Sequence, residues 1–112
     1  MHGHKLTTNI WIGLESARIR CYTDIMDGLA VDETRHTYDL CGEIMMSGRF
    51  SDDHIPAVRR ILSDEINLTK SQLQAITEPC PTLRKFLLST IHYYQQGLDE
   101  LEAIATGGGD QS

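Results

Sequence analysis

The chain has 112 residues, 40% of them apolar and 23% charged, which suits one domain and is too apolar for a disordered chain. Sixteen acidic residues outweigh ten basic ones, a net charge of −6 that disfavours binding to a phosphate backbone, and the pairs Arg18/Arg20, Arg59/Arg60 and Arg84/Lys85 are dispersed rather than clustered. No apolar run approaches the ~20 residues of a membrane span, and none resembling a signal peptide follows Met1-His2-Gly3-His4-Lys5, so neither membrane nor secretion is expected and the location read from the residues is cytoplasmic.

Period-2 alternation and hairpin signals are missing, whereas helical spacing recurs, so the expected fold is all-α: a compact bundle of about five helices ending in a long one. Ile10, Leu14, Ala17, Cys21 and Ile25 line one face of a first helix that starts through Thr7-Thr8-Asn9 and stops near Gly28. Asp32 is placed to cap a second, which carries Tyr38, Cys41 and Met45 beside Leu40 and Ile44 and closes at Ser47-Gly48. Ile55, Val58, Ile61, Leu62 and Ile66 mark a third, with Asp53 as N-cap so that Pro56 falls in the first turn. A short fourth helix is expected from Thr69 and Gln72 as a capping box, with Leu68 and Leu73 as its hydrophobic staple, ending at Glu78-Pro79-Cys80-Pro81.

The last helix is expected from about Thr82 to Ala105, with Leu87, Ile91, Tyr94, Leu98, Leu101 and Ala105 at alternating intervals of four and three. At ~1.5 Å per residue such a helix reaches about 36 Å, longer than a domain of this size covers. Its final turns are therefore expected to project, presenting Tyr94, Leu98, Leu101 and Ile104 to a partner, with a second copy of the chain as the economical one. Residues 1–106 read as a single helical domain and 107–112 as a flexible tail.

Chemistry is sparse. Asp32, His36, Asp39 and Glu43 are spaced four, three and four apart, which aligns an imidazole and three carboxylates on one helix face as a weak metal candidate. Glu33-Thr34-Arg35-His36 has the E-x-x-H spacing of helical di-iron sites, but no second copy exists. His2-Gly3-His4 sits at a terminus, and Cys21, Cys41 and Cys80 lack any C-x-x-C spacing and read as reduced thiols. No nucleophile motif or phosphate-cradling glycine loop is present, and no catalytic residue or cofactor is expected.

From Leu40 to Ile76 the chain has an apolar helix ending in Ser47-Gly48, an acidic helix start at Ser51-Asp52-Asp53, an Ile-x-x-Ile-Leu-like apolar stretch with an acidic finish, and Leu68-Thr69 with Gln72-Leu73. This segment resembles the central helical part of the tellurite-resistance TerB-like domains. The resemblance implies a compact, helical, cytoplasmic module in a family linked to stress responses, metal-ion association and protein assemblies. Where that family carries Asp before Gly at the turn this chain has Ser47, so no metal ligand is carried over.

By elimination, the expected function is a non-catalytic protein-binding or regulatory module acting on another protein through a helix surface. The alternatives are an acidic inhibitor of immunity type, blocking a basic site on its target, and a metal-associated stress protein. The expected core is Ile10, Leu14, Ile25, Leu40, Ile44, Ile55, Val58, Ile61, Leu62, Leu73, Phe86, Leu87 and Ile91. Truncation within it, as in Ile61→Ala, is expected to lower unfolding free energy by ~2–5 kcal/mol in a denaturant titration; an unchanged midpoint would remove Ile61 from the core.

Overall fold

The structure, a computed structural model, describes residues 3–107. Four α-helices dominate them: α1 (Thr8–Met26), α2 (Asp32–Ser47), α3 (Ile55–Gln74) and α4 (Pro81–Ala105). Two short strands, β1 (His4–Lys5) and β2 (Arg49–Phe50), pair antiparallel with His4 opposite Phe50. The fold is thus mostly helical, as expected, with four helices rather than five and a small sheet that sequence periodicity did not show. No helix among the described residues is long and apolar enough to cross a membrane. Of the expected tail, only Gly107 lies among the described residues, and His2 of the His2-Gly3-His4 motif lies outside them.

Local chemistry explains most of the boundaries. Thr7 caps α1, its hydroxyl accepting from the Ile10 N–H at 3.1 Å. Gly48 stops α2 in the left-handed region, φ +72°, where its N–H reaches the Ile44 carbonyl at 2.8 Å. At the start of α2 the expected cap, Asp32, is instead the first helical residue. Val31 precedes it, its N–H donating to Thr34 Oγ1 at 3.3 Å, while Asp32 and Glu33 place negative charge in the first turn. Asp53 is likewise not an N-cap: it lies in a 3₁₀ turn, Asp52–His54, in which the Ser51 N–H donates to His54 Nδ1. Pro56 then falls second in α3, where its missing N–H leaves nothing unsatisfied.

The expected helix start at Thr69 does not exist. Thr69 is buried inside α3 and its hydroxyl donates to the Glu65 carbonyl at 2.8 Å instead of capping the Gln72 N–H. Ile61, Leu62, Glu65, Ile66 and Thr69 continue one buried stripe at helical spacing, and packing along that stripe overrides a local capping signal. The Leu68-Thr69 pattern that contributed to the TerB-like resemblance is therefore helix interior.

α1 is central and packs against α2, α3 and α4. Ile10, Leu14, Leu40, Ile44, Ile55, Val58, Ile61, Leu62 and Leu87 are buried as expected, joined by Ala17, Cys41, Phe50 and Leu101. Ile25, Leu73 and Ile91 are only half-buried and Phe86 is 64% exposed, because the packed body ends before the loop joining α3 to α4.

The C-terminal turns of α4, expected to project, are its anchored end. Arg59 of α3 clamps Glu102 with Nε and Nη2, and Glu100 accepts from Thr7 Oγ1 at 2.6 Å and Asn9 Nδ2 at 2.9 Å. The free end lies at the other side: no residue from Lys70 through Phe86 is buried.

Gly97 makes the α1–α4 approach feasible. A Cβ there would sit 2.9 Å from the Asn9 carbonyl oxygen, whereas a Cβ on Gly42 of α2 would meet nothing within 4 Å. Gly97→Ala is expected to destabilise despite the ~1 kcal/mol gain in helix propensity, and Gly42→Ala to stabilise by ~0.5–1 kcal/mol. Thermal unfolding of both variants checks the opposite signs.

Candidate functional site

Asp32, His36, Asp39 and Glu43 are all exposed on α2, and among the described residues no group of three or more His, Cys, Asp or Glu converges to hold a metal. Glu33 of the E-x-x-H pattern bonds Arg60 Nη1 at 3.0 Å. His4 packs on Phe50 and reaches Asp52 Oδ1 at 2.5 Å, so its chemistry holds the small sheet to the turn before α3. The expected partner strip also turns inward. Tyr94 and Leu101 are buried, and Leu98 and Ile104 pack against the core, so these four side chains are occupied within the chain.

The most polar interior cluster is structural in form. Glu65 is 4% exposed and accepts from Ser16 Oγ at 2.9 Å and from Arg20 Nε and Nη2 at 2.9 and 2.7 Å. Arg20 thus closes a two-pronged contact from α1 onto an α3 carboxylate, which satisfies a charge that would be costly to bury alone. Tyr94 lies beside Ser16, and burial pushes its phenol above the ordinary range.

A groove of about 860 Å³ lies between α1 and α2. α1 contributes Trp11, Glu15 and Arg18 at positions i, i+4 and i+7, a row adjacent to its buried Ile10–Leu14–Ala17 face. α2 contributes Tyr38 and Asp39, Gly42 and Glu43, Met45 and Met46, three successive turns of one side. Gly42 leaves the floor open between them, since nothing lies within 4 Å of where its Cβ would be. Trp11 is 41% exposed and Met46 is 92% exposed, so the walls present a rigid aromatic face and a flexible thioether to solvent.

The groove is acidic. Its single cation, Arg18, lies 6.0 Å over the Tyr38 ring and bonds Glu15 of its own helix at 3.4 Å. Asp39 and Glu43 form no ion pair among the described residues. Two members of the carboxylate stripe noted in the sequence therefore line this groove. Asp32 and His36 do not, because the stripe follows one face of α2 while the groove runs along only its second half.

Trp11, Glu15 and Met46 carried no motif in the sequence. Their one signal was position: a lone Trp and a Met off the apolar lines of their helices, which places large apolar groups outward. No family model, curated protein or solved structure matches the chain.

The cysteines fall into two chemical classes. Cys21 and Cys41 are buried and Cys80 is exposed. Burial raises the Cys21 thiol and pushes the Cys41 thiol up to about 12. A native value above the unfolded one of 9.0 favours the fold fully below that pH, and this contribution is lost as pH rises toward 12. A thiol-specific chromogenic reagent at neutral pH is expected to titrate one cysteine in the native chain and all three in denaturant; three fast thiols in the native chain would contradict the burial.

Proposed function

We propose that this chain is a non-catalytic protein-binding module whose α1–α2 groove receives a basic, amphipathic helical segment of a partner. The observation that carries this reading is the pairing, in one groove, of the exposed Trp11 and Met46 with two carboxylates, Asp39 and Glu43, that form no ion pair among the described residues. A helix laid between two helices buries an apolar stripe, and aromatic and Met walls accept such stripes with little demand on their shape. Uncompensated carboxylates at the rim select for Lys and Arg flanking that stripe and speed encounter. The inward packing of Tyr94, Leu98, Leu101 and Ile104 supports reading the partner surface in this groove rather than on α4.

Trp11 is the only tryptophan and reports directly on the groove. Titration with a basic amphipathic helical peptide is expected to shift and quench its fluorescence saturably, more weakly as salt is raised. The variant Asp39→Lys/Glu43→Lys should weaken binding at least about tenfold, equivalent to ~1.4 kcal/mol. An acidic peptide of the same apolar pattern should not bind. Equal binding of both peptides, or no response to either, would remove this reading.

A further inference from the structure

The molecule carries, on a different surface, a segment with the chemistry its own groove selects. The end of the α3–α4 hairpin is apolar and basic although the chain as a whole is acidic. Between residues 70 and 93 lie three cations, Lys70, Arg84 and Lys85, and one carboxylate, Glu78, whereas the whole chain has 10 basic against 16 acidic residues. Lys70, Arg84 and Lys85 are exposed and form no ion pair among the described residues. In the first turns of α4, Arg84 and Lys85 sit among exposed apolar side chains: Leu83 is 43% exposed, Phe86 64% and Leu88 52%. Among the described residues nothing buries them, and no residue from Lys70 through Phe86 is buried.

Resting on the groove reading above, we infer that the occupant is a second copy of this chain: the start of α4 from one copy docks in the α1–α2 groove of another. Arg84 and Lys85 supply the cations that Asp39 and Glu43 lack, and Leu83 and Phe86 supply the apolar stripe for Trp11 and Met46. The hairpin end is also already helical and held by α3, so docking it orders no free segment, which lowers the entropic cost of association. The two surfaces share no residue, so a single contact is head-to-tail: the pair keeps one free groove and one free hairpin end, and assembly either closes, as a reciprocal pair or a larger ring, or continues as an open chain.

Sedimentation velocity across a concentration series of the full chain tests this. Concentration-dependent assembly that weakens with added salt is expected, and Asp39→Lys/Glu43→Lys and Arg84→Glu/Lys85→Glu should each abolish it. Mixed in equal amounts, the two variants should assemble again: the intact hairpin end of the first meets the intact groove of the second, and the two reversed surfaces are complementary in turn. A parent chain that stays monomeric, assembly untouched by either variant, or a mixture that stays monomeric while both variants retain the parent's circular dichroism and melting, each overturns the inference. If charge reversal perturbs folding, Asp39→Asn/Glu43→Asn and Arg84→Gln/Lys85→Gln put the same question, each expected to weaken assembly at least about tenfold. A monomeric parent whose Trp11 still responds to the basic peptide overturns the second copy and leaves the groove reading standing. No response in either assay overturns both.

Discussion

At Gly97 the backbone of α4 comes so close to the start of α1 that a Cβ would meet the Asn9 carbonyl oxygen at 2.9 Å. At Gly13, α1 itself comes so close to α3 that a Cβ would fall 2.2 Å from Leu62 Cδ2. These two contacts let one helix, α1, lie against all three others. Ile10, Leu14 and Ala17 are each wholly buried as a result, and they form the spine on which apolar residues of α2, α3 and α4 converge. A side chain at Gly97 would meet backbone and push α4 off α1, whereas one at Gly13 would displace the buried Leu62 side chain and disturb the core there.

Polar contacts then fix which end of each helix is held. Glu100 bridges Thr7 and Asn9 at the start of α1, where a carboxylate also meets the positive end of the helix dipole. Arg59 grips Glu102, two residues further along α4, and Arg20 holds Glu65 on the other side of α1. All three tie α1 or α3 to a neighbour within the packed body, and none reaches the hairpin end. At that end Leu83, Phe86 and Leu88 stay exposed.

Charge is segregated by the same arrangement. The cations of the packed body are largely consumed inside it: Arg18 on Glu15, Arg20 on Glu65, Arg59 on Glu102 and Arg60 on Glu33. Among the described residues the cations of the hairpin end have no such partners, and neither do Asp39 and Glu43 in the groove. Exposed pairs contribute little to stability in any case. The consequence of this distribution is a molecule with an acidic concave surface at one place and a basic convex one at another.

The helical class, the stops at Gly28 and Gly48, the Thr7 start and most of the core were legible in the residues, because each follows from local dihedral preference or from 3.6-residue periodicity. What periodicity could not reveal is which apolar line meets which. Leu98, Leu101 and Ile104 read equally well as a partner strip and as a core face, and only the anchoring of α4 by Glu100 and Glu102 turned them inward. Thr69 and Gln72 satisfied a capping pattern, yet α3 runs through them because a continuous buried stripe along the helix outweighs one cap. Phe50 entered the core through a two-residue strand too short to leave an alternating pattern. The groove combines a row from α1 with a row from α2, each an ordinary amphipathic flank by itself, so it exists only where tertiary packing sets those rows side by side.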